Sequence, residues 1–226
     1  SVAIIPAAPY AKIRNQEAKA QNHDILIHMP MQPVSNIKIE EGGLTLGLSE
    51  AQVNERVKKA KAIVPNAIGM NNHMGSAATA DTTLMTYLMN TLREQNLFFL
   101  DSRTIGKSVA GKIAKEQGVR VLDRHVFLDD SDNLADVQRQ FQSAIQYARK
   151  HGTAIAIGHP RSNTVAVLKA GIKNLPDDIQ LVGMGSLWRN EKILPPKPFI
   201  LIFNDIPAPT SVAPFEPIPL LRGVPR

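Results

Sequence analysis

The stretch Ile68-Gly69-Met70-Asn71-Asn72-His73-Met74-Gly75-Ser76 runs an apolar segment straight into two amides, an imidazole, a glycine and a hydroxyl. The same change of character recurs in Ile25-Leu26-Ile27-His28, Phe98-Phe99-Leu100-Asp101, Phe127-Leu128-Asp129-Asp130 and Ile155-Ala156-Ile157-Gly158-His159. Short, near-continuous apolar runs of this kind read as strands covered on both faces, whereas a sheet wet on one side would alternate. Strands are therefore predicted at 2–5, 24–28, 67–71, 97–100, 126–128, 153–157 and 179–182.

Amphipathic stretches of about 11 to 19 residues separate them, which is the pattern of βα units around a parallel sheet. Ser49-x-x-Gln52 is a capping-box match opening a helix over 50–63, and Asp81 or Thr79 can cap the stretch that runs to Gln95. Gly118 closes a helix over 107–117. Asp132 or Asn133 opens the longest helix, which ends at His151 with Gly152 as a left-handed cap, and Asn163 starts a shorter one stopped near Pro176. At least six βα steps in about 185 residues suit a closed or nearly closed barrel, with a flat doubly wound sheet as the alternative.

Composition narrows the function. With 43% hydrophobic and 20% charged residues the chain of 226 is globular rather than disordered. A net charge of +6 favours acidic surroundings, but the basic residues are scattered and only 5% of the chain is aromatic, so no nucleic-acid groove is expected. The absence of cysteine removes thiolate metal sites and Cys nucleophiles, leaving His, Asp and Glu as the strong ligands. No apolar run approaches the roughly 18 residues of a membrane span, so none is expected. The chain opens at Ser1 without an initiator Met, as a processed or shortened product would. Nine of the sixteen prolines lie in the last 32 residues. The division expected is a β/α domain over 1–194 and a proline-rich tail over 195–226.

In a parallel barrel the C-terminal strand ends open on one rim, so the polar residues that end these runs are expected to converge there. His28, His73 and His159, with Asp101 and Asp129, form the candidate site. His23, His125 and His151 are read as structural. Asp101-Ser102-Arg103-Thr104 offers a carboxylate and a guanidinium two residues apart, and Gly158-His159-Pro160 puts an imidazole on a rigid turn, placed to give a proton to a leaving group. Asn71, Asn72, Ser76 and Asp129 are candidate substrate contacts.

The strings His28-Met29-Pro30-Met31-Gln32-Pro33, Asn71-Asn72-His73-Met74-Gly75-Ser76, Phe98-Phe99-Leu100-Asp101-Ser102-Arg103-Thr104, Val126-Phe127-Leu128-Asp129 and Ile155-Ala156-Ile157-Gly158-His159-Pro160 resemble the divergent polysaccharide deacetylases, within the NodB-like carbohydrate esterases. The likeness covers about residues 1 to 188 in order. It implies a distorted (β/α)7-type barrel and a divalent metal, usually zinc, that activates water to remove an acetyl group from a polysaccharide. By strand order it implies His28 and His73 as metal ligands, Asp101 with Arg103 as an orienting pair, and His159 as general acid. The family's first strand carries an Asp-Asp pair, and this chain begins after the place where that strand would stand. The resemblance further implies an exported protein, periplasmic or secreted, acting on an acetylated or peptidoglycan-related glycan. Two other readings are carried forward: a non-catalytic glycan-binding or envelope-assembly protein on the same barrel, and a glycosidase using Asp101 and Asp129 as its carboxylate pair.

Overall fold

The computed structural model describes residues 1–190. Five strands form one parallel sheet in chain order: β1 (Val2–Ile4), β2 (Ile25–Met31), β3 (Ala67–Met74), β4 (Phe98–Asp101) and β5 (Val121–Asp123). A second parallel pair follows, β6 (Val126–Phe127) with β7 (Ala156–Ile157). Around them stand α1 (Ala11–Ala20), α2 (Glu50–Ile63), α3 (Thr82–Glu94), α4 (Ala110–Gln117), α5 (Leu134–His151), α6 (Ser162–Lys173) and α7 (Met184–Arg189). Within each sheet every strand pairs with its immediate successor, the winding of a barrel. A doubly wound sheet would reverse direction about its first strand. The barrel is distorted and its hydrogen-bond ladder does not run continuously. At the seam Arg124 N–H donates to the Asp101 carbonyl on one side, while His125 and Val126 N–H both donate to the Ile155 carbonyl on the other. The expected limit at 194 and the tail over 195–226 lie outside the described residues.

Alternation along the strands sorts two cores. One face of the sheet, with Ile27 and Met29 of β2, Met70 of β3 and Phe99 of β4, packs on Val53 and Val57 of α2 and Leu84 and Leu88 of α3. The opposite face brings together Leu26, Phe98, Leu100 and Ile155, with Leu187 and Trp188 of α7 packed against them. Full burial of such side chains is worth about 1.5–3 kcal/mol each. Gly69 makes room for this inner layer, since a Cβ there would fall 2.5 Å from the Phe98 ring.

Most helix signals are present as read, but α4 starts at Ala110 rather than 107, and α6 starts at Ser162 with Arg161 at its N-cap rather than at Asn163. Ser49 and Gln52 form the capping box, Asp81 accepts from Leu84 N–H at 2.7 Å, Asn133 caps α5, and Gly152 ends it at φ 80°. The strands differ. β2 and β3 run three residues beyond the apolar stretch, because β1 stops opposite Ile27 and the freed edge of β2 takes a loop instead: Leu44 N–H donates to the Pro30 carbonyl at 2.8 Å and Gln32 N–H to the Leu44 carbonyl at 2.9 Å. Proline is tolerated in β2 at this edge. β5 is a three-residue strand whose polar neighbours hid it. The run at 179–182 is not a strand, and Leu181 there is exposed. α1 and α7 carry no strong periodic signal, and sequence reading passes over both.

Candidate active site

His28 lies on β2 directly across from Asn71 on β3, two residues beyond Leu26 on the inner face of the sheet, and His73 lies two residues beyond Asn71. The inner layer is therefore apolar at its lower end and carries imidazoles at the strand ends. Asn71 is buried. Its Nδ2 donates to Ser102 Oγ at 3.3 Å, which turns its carbonyl oxygen toward His28 Nδ1 at 3.0 Å. On the other side of the ring, His28 Nε2 lies 3.1 Å from His73 Nδ1. His73 Nε2 in turn lies 3.5 Å from Glu40 Oε1. Burial, with the charge of His73 and a weaker contribution from His159, brings the His28 pKa down to about 4, so His28 is neutral at pH 7.

This arrangement constrains the protons. With Nδ1–H of His28 donated to Asn71 Oδ1, His28 Nε2 presents a lone pair, and His73 Nδ1 lies within hydrogen-bond distance of it at 3.1 Å. Two nitrogens bound at about 2.0–2.1 Å to one tetrahedral ion stand roughly this far apart. The spacing alone is that of two ligands on one ion. Among the described residues no group of three or more His, Asp or Glu side chains could hold a metal ion.

His159 follows β7, on the same rim. Its backbone N–H donates to Asp129 Oδ2 at 2.7 Å and its Nδ1 lies 3.1 Å from Asp129 Oδ1, while Thr164 Oγ1 donates to Oδ2 at 2.8 Å. Burial alone would raise the Asp129 carboxyl. The hydrogen bonds from the His159 backbone, Thr164 and the His159 ring, with the His159 charge, outweigh it and hold the group below the ordinary aspartate range. Asp129 therefore stays ionised and holds the His159 ring through Nδ1. Phe127 meets the imidazole edge-on at 5.6 Å and carries the Arg124 guanidinium over its ring at 5.1 Å.

A profile described as divergent polysaccharide deacetylase matches residues 1–188. The chain belongs to the divergent polysaccharide deacetylase family. An uncharacterized protein of Haemophilus influenzae is 77% identical over all 226 residues, which span 81% of its length. The uncharacterized protein YibQ of Escherichia coli is 43% identical over 200 residues, covering 87% of this chain and 63% of YibQ, so the chain spans less than two thirds of that relative. In fold it is similar to an uncharacterized protein of Agrobacterium tumefaciens, with a TM-score of 0.72 at 20% identity over 82% of this chain and 86% of the other. Family membership gives the chain a deacetylase-like role toward a glycan at the coarse level. No helix among the described residues is long and apolar enough to cross a membrane.

For this deacetylase-family chain the structure places the expected residues unequally. It brings His28 and His73 into contact, and His159 close enough to bear on the charge of His28. Asp101 is fully buried beneath the start of α4, where Oδ2 accepts from Ser108 Oγ at 2.6 Å and Oδ1 from Arg103 N–H at 2.8 Å. Arg103 Nε stands 3.8 Å from Asp101 but donates to Asp123 at 2.8 Å, so Asp123 is its nearer partner. Asn71, Asn72 and Asp129, assigned to substrate from the sequence, lie below the surface with polar groups engaged by protein. Asn72 Oδ1 accepts from Ser102 N–H at 2.8 Å and its Nδ2 donates to the Met74 carbonyl at 2.6 Å. Ser76 Oγ accepts from Val34 N–H at 2.9 Å and so ties down the loop after β2. With Asp101 and Asp129 both fully buried, neither stands as a carboxylate across a sugar, which argues against the glycosidase pair. Sequence reading missed Glu40, Asp123, Thr164 and the hydroxyl of Ser108. Of these only Asp123 had a signal, a carboxylate after the short aliphatic pair Val121-Leu122.

Two backbone features hold the rim. Met74 and Arg103 take φ of 55° and 50°, the left-handed region that non-glycine residues seldom occupy. Gly75 follows at φ 89°, and a Cβ there would sit 3.0 Å from that of Met31. Gly75→Ala is expected to cost about 1–2 kcal/mol from the backbone conformation alone, read as a lowered urea midpoint. An unchanged midpoint would contradict this account of the turn.

The low Asp129 value also sets a pH dependence. A carboxyl that titrates lower in the folded state binds fewer protons there than when unfolded. Its stabilisation is present above the unfolded value of about 3.9 and is lost as pH falls through the folded value. Wild type and Asp129→Asn are therefore expected to differ most in stability at neutral pH and to converge in acid, as measured by urea unfolding between pH 7 and pH 3.

Proposed function

We propose that the protein is a divalent-metal hydrolase of the zinc type that removes acetyl groups from a cell-envelope glycan, with His28 and His73 as two of its metal ligands and His159 as general acid. The single observation that carries this reading is the facing pair of imidazole nitrogens 3.1 Å apart, the His28 ring oriented from behind, on the same rim as an Asp-backed histidine. A bound ion of this kind supplies Lewis acidity and a water of lowered pKa. His28, neutral at pH 7, keeps its Nε2 lone pair available toward that position. Asn71 holds the ring in this tautomer and Ser102 holds Asn71. Asp129 fixes Nδ1 of His159 and leaves Nε2 to carry the mobile proton.

In the reaction the oxygen of water forms a bond to the acetyl carbonyl carbon, and the carbon–nitrogen bond, or carbon–oxygen bond for an ester, breaks. The leaving amine or alcohol takes the proton from His159, the protons of the attacking water pass to solvent, one of them restoring His159, and acetate is released. The same reading places the protein in the periplasm or outside the cell, where an acetylated or peptidoglycan-related glycan is met.

The test is incubation of the full chain, with one equivalent of zinc, with N-acetylated chitooligosaccharides and an O-acetylated glycan. Zinc-dependent acetate release without new reducing ends is expected. One observation favours the second reading, a glycan-binding protein without hydrolytic power: among the described residues no third ligand joins the two histidines. Glycan retention with neither bound zinc nor acetate would establish that reading in place of the first.

A further inference from the structure

Arg124 and His125 cross the seam of the barrel, where the five-stranded sheet gives way to the pair of β6 and β7. Arg124 reaches back: its Nε donates to the Ser102 carbonyl at 2.6 Å and its Nη2 to the Arg103 carbonyl at 3.0 Å. His125 reaches forward and takes hold of one residue before β7 twice. Its backbone N–H donates to the Ile155 carbonyl at 2.8 Å, and its ring Nδ1 accepts from the Ile155 N–H at 2.8 Å. The ring is held in this pose by stacking on Tyr147 of α5 at 4.6 Å, and Tyr147 in turn meets His151 at 4.3 Å.

The bond from Ile155 fixes the proton on the ring. A backbone N–H only donates, so Nδ1 carries a lone pair and the neutral imidazole keeps its proton on Nε2. An imidazolium donates from both nitrogens. Protonation therefore sets two N–H groups against each other across 2.8 Å, and this bond breaks. Ile155 is buried, and a buried N–H left without an acceptor is costly. The ladder it belongs to is short: β6 and β7 have two residues each, with Leu128 N–H donating to the Ile157 carbonyl at its far end.

We propose that His125 is a proton-sensitive latch across the seam: neutral, it fastens the strand that leads to His159, and protonated, it lets go of that strand at Ile155. The groups that bear on its charge are Asp123 at the end of β5, itself paired with Arg103, and His151 on α5. Burial lowers the His125 pKa, Asp123 works against that shift and His151 adds to it. His125 thus binds fewer protons folded than unfolded. The stability it contributes is whole above the unfolded histidine value of about 6.5 and is lost as pH falls from there toward the folded value. The latch does not depend on what reaction the rim performs.

The test uses the full chain without added ligand. Long-range nitrogen–proton NMR at pH 7.5 is expected to show His125 as the Nε2–H tautomer. Hydrogen exchange, corrected for its intrinsic pH dependence, is expected to show the protection of the Ile155 amide falling by about fivefold or more between pH 7.5 and pH 4.5, relative to the Phe99 amide, which donates to the Arg120 carbonyl within the larger sheet. His125→Asn supplies an acceptor that does not titrate, so there the ratio is expected to stay level. Asp123→Asn keeps the latch residue and is expected to move the midpoint of the fall to lower pH. A wild-type His125 with its proton on Nδ1, or an Ile155 amide that merely tracks Phe99, overturns the proposal without any variant. An equal fall in His125→Asn, or a midpoint that rises in Asp123→Asn, would assign the acid sensitivity to other groups and overturn it as well.

Discussion

Substituting His73 by alanine is expected to abolish stoichiometric zinc binding and to reduce acetate release by about three orders of magnitude or more, since metal polarisation supplies several kcal/mol to such a reaction and each 1.36 kcal/mol is a factor of ten. The substitution leaves His28 alone, 3.1 Å from where its partner nitrogen stood, and a single imidazole is a weak site. His73 is the cleaner choice of the two. Removing His28 would also strand the Asn71 carbonyl oxygen in a buried position, at a cost of about 1–3 kcal/mol in stability. Equilibrium dialysis with zinc and an acetate assay on the same preparation measure both effects. Retained zinc together with undiminished hydrolysis would remove the imidazole pair from the mechanism.

His159→Ala is expected to lower hydrolysis of an N-acetyl glycan by about 10²–10⁴-fold, the usual worth of a positioned acid, while zinc affinity stays as in the wild type. The distinguishing readout is the leaving group. The aryloxide of an aryl acetate departs without help from a proton, so hydrolysis of that ester should be much less sensitive to the loss of His159 than that of an amide. Asp129→Asn should follow the same pattern more weakly, because the imidazole remains but the ion behind it, which accepts from the His159 backbone and Thr164, is gone. Equal losses on the amide and the aryl ester would move His159 out of proton delivery and into substrate positioning.

The parallel order of strands was legible because both-face burial leaves continuous apolar runs, and five of these ended in polar residues. Those endings gave His28, His73 and His159 directly. What could not be read was direction. Asp101 follows Leu100 at the end of β4, and the pleat turns it from the inner face to the helix side, where it meets Ser108 rather than a cleft. Arg103 is drawn to Asp123 because β5 pairs beside β4 in register, Asp101 opposite Asp123, and β5 was too short to be read. Glu40 was invisible for another reason. It reaches His73 through a loop whose path depends on where β1 stops, on Arg56 from α2 and on Ser76 from beyond β3, and none of these leaves a periodic trace. Strand ends are written in local hydrophobicity, while partners supplied by loops are set only once the sheet exists.

The inner apolar layer has one more consequence. Trp188 is the only tryptophan in the chain, and its ring packs 5.6 Å from that of Phe98 on the floor beneath the imidazoles. Its fluorescence is thus an intrinsic optical probe of that floor. Emission excited at the indole band follows the interior of the barrel, whereas circular dichroism follows the helices around it, and comparing the two during denaturation shows whether centre and periphery come apart together.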